Sequence, residues 1–228
     1  MSTERIGILG GSFNPVHNGH VRLAIEVLER LSLDCVELVP AAVPPHKSGV
    51  GLLPFSERYR LVTLAVKDVP GLAANPVESK RSGPSFTRDT LAAYRAERPE
   101  AELFFIMGTG TFLEVPTWHR GKEIADMASL VAVNRWNIDV EDVERLMAAH
   151  WPDAARESES VWRFASDTRL HCLSVPRLDI KAAAIRDRWR QHKRLTGLVP
   201  PLVEAAIAEG GAVYQDCWGP PSDEGWPR

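Results

Sequence analysis

Between an apolar run at residues 6–9 and a helical pattern that begins at Val21, the chain reads Gly10-Gly11-Ser12-Phe13-Asn14-Pro15-Val16-His17-Asn18-Gly19-His20. No other stretch constrains the fold as strongly. A strand that breaks into a glycine-rich turn and then opens a helix points several backbone N–H groups at one spot. The partial positive charge of the helix start favours an anion there. Such a strand–turn–helix unit buries its strand only inside a sheet that helices cover.

The rest of the chain repeats the alternation. Strands are expected at residues 6–10, Cys35–Pro40, 72–77, 103–107, 130–133 and 170–175. Helices are expected at residues 21–31, 54–67 with Ser56 as cap, 85–96, 182–191 and 202–208, and a Pro/Gly-rich loop at 41–53. Short apolar runs separated by helical patterns predict an α/β fold: a Rossmann-like, doubly wound parallel sheet with helices on both faces and further helices at the C-terminus. The glycine-rich turn then lies at the carboxyl end of the first strand, where open α/β sheets bind ligands. One domain is expected over residues 1–214. Residues 137–167 read as a helix-containing, irregular insertion or linker, and 215–228 as a flexible tail that two Trp residues could dock.

The totals narrow the function classes. At 228 residues and 44% hydrophobic, the chain can bury a substantial core without disulfides. A net charge of −3 argues against a broad nucleic-acid-binding surface. Cys35, Cys172 and Cys217 are odd in number and widely spaced, which fits reduced thiols better than a disulfide framework or a metal site. No leader and no membrane-length apolar run is evident, so a cytoplasmic protein without a membrane partner is expected. A homo-oligomer is left open.

Two histidines three residues apart share a face of a helical first turn, and imidazole donates well to phosphate oxygens. A metal reading of His17-x-x-His20 lacks a third ligand nearby. The turn is neither a Walker loop nor a GxGxxG fingerprint.

The run from Gly10 to His20 resembles the HxGH signature of the nucleotidyltransferase superfamily related to class I aminoacyl-tRNA synthetases. More closely, the chain resembles the bacterial nicotinate-nucleotide adenylyltransferases over about residues 5–214. Val43-Pro44-Pro45-His46-Lys47 matches that family's second loop. Ser82-Gly83-Pro84-Ser85-Phe86-Thr87 with Thr90-Leu91 matches its Ser-Tyr/Phe-Thr segment, and Pro116-Thr117-Trp118 its Trp loop. Residues 180–188 occupy the place of its second phosphate signature, and Leu198-Val199-Pro200 follows in order.

The resemblance implies adenylyl transfer from ATP to nicotinate mononucleotide, with Mg²⁺ carried by the ATP phosphates. It implies His17, His20 and Arg186 as the catalytic residues. Gly10, Gly11, Ser12, Phe13, Lys181 and Ile185 would lie on the ATP phosphates. Pro45, His46, Lys47, Thr87, Gly108, Trp118 and Arg135 would hold the acceptor, with Trp118 stacked on the pyridine ring.

Three departures fall in the phosphate and acceptor regions. Where the family has Ile-Ser-x-Thr-x-Ile-Arg, this chain has Ile180-Lys181-Ala182-Ala183-Ala184-Ile185-Arg186. Both hydroxyls are lost, and Lys181 can replace them only as a point charge. The family's Gly-x-Asp is Gly108-Thr109-Gly110, and its Arg-rich turn after the fifth strand is Asn134-Arg135-Trp136-Asn137. These changes keep two alternatives open: another acceptor, such as nicotinamide mononucleotide, or a nucleotide-binding protein with weak catalysis.

Overall fold

The computed structural model describes residues 3–45, 51–134, 140–176 and 178–220. The expected site residues His46, Lys47 and Arg135 lie outside them.

Eight strands form one sheet: β1 (Arg5–Gly11), β2 (Cys35–Pro40), β3 (Leu72–Ala74), β4 (Glu102–Gly108), β5 (Ser129–Asn134), β6 (Ala155–Arg156), β7 (Val161–Arg163) and β8 (Arg169–Ser174). Their order is β3-β2-β1-β4-β5-β8-β7-β6. The pairings from β3 through β8 are parallel, and β7 and β6 add an antiparallel edge. The expected doubly wound sheet is therefore present, extended by a hairpin. That hairpin and helix α6 (Val140–His150) occupy much of the segment read from sequence as irregular. Its strands of two and three residues are too short to show alternation.

Each central strand feeds two cores, because successive side chains point to opposite faces. In β4, Phe104 and Ile106 join one cluster while Leu103, Phe105 and Met107 join the other. Helices α1 (Asn18–Arg30), α2 (Phe55–Val66), α7 (Ala182–Arg190), α8 (Pro201–Glu209) and α9 (Gly211–Trp218) cover the first face. Helices α3 (Thr87–Glu97), α4 (Thr109–Glu114), α5 (Ile124–Met127) and α6 cover the second.

Several boundaries differ from expectation, each with a local cause. Helix α1 starts at Asn18 rather than Val21, which places His20 in its first turn. Ser56 does not cap α2: Pro54, with φ −50° and ψ 148°, is the capping position, and Ser56 lies inside the first turn. Strand β3 stops at Ala74 because the Asn75 side chain accepts the Val77 N–H at 2.9 Å and starts a 3₁₀ turn, Val77–Lys80. The tail boundary expected at residue 215 falls inside α9, whose Trp218 is buried.

The strand order reverses between β1 and β4, so their carboxyl ends open a crevice. Gly10 and Gly11 end one wall, and Met107 and Gly108 end the other.

Candidate active site

The crevice is a cavity of about 640 Å³. Gly10, Gly11, Ser12, His20, Pro45, Thr87, Gly108 and Trp118 all line it, so residues from five separate stretches of the sequence converge on one space.

The histidine pair is built by the start of α1. His17 is the N-cap and His20 the third residue of the helix. His20 Nδ1 accepts the His17 backbone N–H at 3.2 Å, so one otherwise unsatisfied helix-start N–H is satisfied by a side chain. With Nδ1 acting as acceptor, the proton of neutral His20 resides on Nε2, where it can be donated to a ligand. The two rings stack at 3.6 Å, and Phe13 meets His20 edge-on at 5.0 Å. His17 is buried, so His20 faces the cavity while His17 and Phe13 back it. Gly19 makes this packing feasible: a Cβ there would stand 3.1 Å from His17 Nδ1 and 3.4 Å from the Leu178 carbonyl oxygen.

Three buried or half-buried groups hold the glycine-rich turn. Arg58, on the inner face of α2, donates to the carbonyls of Leu53 (2.9 Å), Ser12 (2.9 Å) and Ala42 (3.4 Å). Burial pushes its guanidinium below its usual pKa, and Glu78 opposes the shift. Asn18 binds the C-terminal segment twice, its N–H to Leu198 O (2.9 Å) and its amide to Gly197 O (2.8 Å). Arg186 Nη1 donates to the Asn14 carbonyl at 2.8 Å, so α7 is tied to the turn. Burial lowers the Arg186 pKa as well, and a guanidinium keeps its charge despite that.

The second phosphate motif is placed less uniformly. Lys181 is the exposed N-cap of α7 and makes no side-chain capping bond, as the loss of the hydroxyls leads one to expect. Ile185 is fully buried among core residues, and its N–H bonds to Lys181 O at 3.2 Å. Its side chain therefore anchors the helix rather than facing the cavity.

The other half of the cavity carries aromatic rings. Thr87 is the first residue of α3, and Phe86 is its N-cap. Phe86 stacks on His119 at 4.4 Å beside the half-buried Trp118. Val43 and Ser85 exchange backbone and hydroxyl bonds (2.9 Å each), which fastens the Pro44–Pro45 loop to this wall. Glu78, also buried, accepts from Thr90 Oγ1 (2.7 Å) and the Ala42 N–H (3.1 Å), and Arg81 donates to Thr90 Oγ1 (2.9 Å). Sequence reasoning missed Arg58, Glu78, Phe86 and His119 as site residues. For Arg58 a signal existed, since it falls in the apolar stripe with Leu61, Val62 and Ala65.

Among the described residues no three His, Cys, Asp or Glu side chains gather as a metal cage, and no helix is long and apolar enough to cross a membrane. A cavity walled by a glycine-rich turn at a helix start and by a donor imidazole, with the Arg186 guanidinium tethered to that turn outside the lining, can bind a polyphosphate and stabilise charge that grows on it.

Comparison with known proteins agrees with that chemistry. Residues 8–188 match the cytidylyltransferase-like family. The probable nicotinate-nucleotide adenylyltransferase of Trichlorobacter lovleyi is 37% identical over 212 residues, covering 92% of this chain and 99% of its own. That of Geobacter metallireducens is 38% identical over 211 residues, covering 90% and 96%. The nicotinic acid mononucleotide adenylyltransferase of Plasmodium falciparum, solved with NaAD, superposes with a TM-score of 0.71 at 16% identity, over 92% of this chain and 97% of that one. This last likeness speaks for the fold alone. The chain belongs to the cytidylyltransferase-like family and, within it, to the nicotinate-nucleotide adenylyltransferases.

Proposed function

We propose that this enzyme transfers the adenylyl group of ATP to nicotinate mononucleotide, releasing pyrophosphate. An oxygen of the acceptor's 5′-phosphate attacks the α-phosphorus of ATP. A new P–O bond forms there, and the bond to the bridging oxygen of the β-phosphate breaks. The electron pair leaves with pyrophosphate, so no protein nucleophile is needed. Catalysis then consists of aligning two anions and stabilising the charge that develops between them.

The observation that carries this reading is the convergence of the His20 imidazole and the Gly10–Gly11–Ser12 turn with Thr87 and Trp118 around one cavity. His20 donates from Nε2 to a phosphate oxygen, with His17 and Phe13 fixing its ring. Arg186, anchored on the Asn14 carbonyl, neutralises the departing pyrophosphate. Lys181 supplies charge where hydroxyl donors are missing. Thr87, Gly108 and Pro45 enclose the pyridine ring, and Trp118 stacks on it. His46, Lys47 and Arg135 belong to the same acceptor set by their place in the sequence.

A divalent cation accompanies the nucleotide in this enzyme class. We assign Mg²⁺, entering on the triphosphate as part of the substrate, which suits a wall of backbone N–H, imidazole and hydroxyl groups. We assign the reaction to the cytoplasm, a reading that the three free thiols support.

The test is pyrophosphate release from Mg²⁺-ATP with each pyridine mononucleotide in turn. Release with the nicotinate form, in preference to the nicotinamide form, is expected. Turnover only with another acceptor, or binding without turnover, contradicts the proposal.

A further inference from the structure

We infer that Trp218, in the C-terminal helix, is a positioning residue for the phosphate site, acting through Asn14 on Arg186. The inference rests on the adenylyl-transfer reading and deepens it. It concerns a part of the chain beyond residue 188, where the family match ends.

Asn14 is the junction. This buried residue belongs to the turn between β1 and α1, and four bonds meet on it, three at the side chain and one at the backbone carbonyl. Its backbone carbonyl accepts from Arg186 Nη1 at 2.8 Å. Its amide Nδ2 donates to Gly51 O at 2.6 Å, and its Oδ1 accepts the Leu53 N–H at 3.1 Å. The second acceptance on Oδ1, at 3.3 Å, comes from the indole Nε1–H of Trp218. The orientation of the Asn14 amide is thus held from both sides, by the loop that ends at Leu53 and by α9.

The indole itself is fixed. Trp218 is buried, and its ring meets Tyr214 at 4.7 Å and Trp189 at 5.5 Å, both edge-on. Trp189 lies on α7, one turn beyond Arg186, so Trp218 is wedged between the helix that carries Arg186 and the turn that receives it. Tyr214 is in turn bonded to Glu57 of α2 at 2.5 Å, which pins α9 to the scaffold. Gly51 completes the contact. Its φ of +74° suits glycine, and a Cβ there would meet the Cys217 carbonyl oxygen at 3.6 Å.

The consequence is geometric. Arg186 can neutralise pyrophosphate only if the Asn14 carbonyl stays where the guanidinium can reach both it and the ligand. The Asn14 amide and carbonyl are joined through one Cα, so the bonds that anchor the amide also restrain the peptide that bears that carbonyl. Trp218 is not among the residues that line the cavity, yet its N–H makes one of the three bonds that fix the Asn14 amide. Displacement of a charged donor by a fraction of an ångström costs turnover rather than folding.

Trp218→Phe keeps a ring and deletes the N–H. It is expected to lower kcat about three- to tenfold, the loss of one neutral hydrogen bond, while the melting midpoint changes little. In an Arg186→Ala background the same substitution should change kcat less than twofold, since the group it positions is gone. Trp189→Phe, which disturbs the same aromatic cluster without touching Asn14, should leave kcat within twofold. Three results overturn the inference: unchanged kcat in Trp218→Phe, an equal loss in both backgrounds, or an equal loss in Trp189→Phe. Mg²⁺-ATP affinity gives a readout that needs no acceptor. Trp218→Phe should weaken it with Arg186 present and not in Arg186→Ala, and the same weakening in both overturns the inference. Wild-type turnover with nicotinate mononucleotide tests the underlying reading separately.

Discussion

The two halves of the cavity are held in different ways. On the phosphate side, His17, Phe13, Asn14 and Arg58 are all buried, and backbone or side-chain bonds restrain the turn from α1, α2, α7 and α9. On the aromatic side, Trp118 is half-buried and His119 exposed, and the wall is joined to the Pro44–Pro45 loop mainly through Val43, Ser85 and Glu78. Charge stabilisation requires donors fixed before the reaction begins, because each reorganisation adds to the barrier. Recognition of a flat ring by stacking tolerates looser walls. In the proposed reaction the rigid half suits the step that reacts, and the more open half suits admitting and selecting the acceptor.

Mutations that separate kcat from KM sharpen this contrast. The largest effect is expected for His20→Ala: kcat should fall about 10²- to 10³-fold, the range for losing one donor to a developing anion. Steady-state pyrophosphate release checks it, and a change under threefold removes His20 from the catalytic set. Trp118→Ala comes next and acts on the other half. The KM for the acceptor should rise about tenfold, within the range for lost stacking on an aromatic, while the KM for ATP stays within twofold. Lys181→Ala is the smallest. An exposed cation at a helix start contributes modestly, so ATP affinity should weaken about two- to fivefold, more at low salt than at high. Unchanged ATP affinity shows that Lys181 does not stand in for the missing hydroxyls.

Much of this was legible in the sequence for a physical reason. The parallel strands are buried on both faces and read as apolar runs, and the Gly10–His20 turn carries its chemistry in contiguous residues. Contiguity is what failed elsewhere. Arg58 reaches the turn across more than forty positions, and Asn14 gains its meaning from Leu53, Arg186 and Trp218, which no local pattern links. Ile185 sits inside a phosphate motif, yet its spacing on α7 turns the side chain into the core. Residues 215–218 have the composition of a tail, and only the aromatic cluster of Trp189, Tyr214 and Trp218 shows why they form the end of a docked helix.

In the proposed reaction one cavity holds two separable subsites, one for ATP and one for the acceptor. Calorimetric titration of Trp118→Ala with a non-hydrolysable Mg²⁺-ATP analogue and, separately, with nicotinate mononucleotide tests it most directly. The expected result is acceptor affinity reduced about tenfold, with analogue affinity within twofold of wild type. Equal weakening of both ligands, or weakening of the ATP analogue alone, contradicts it.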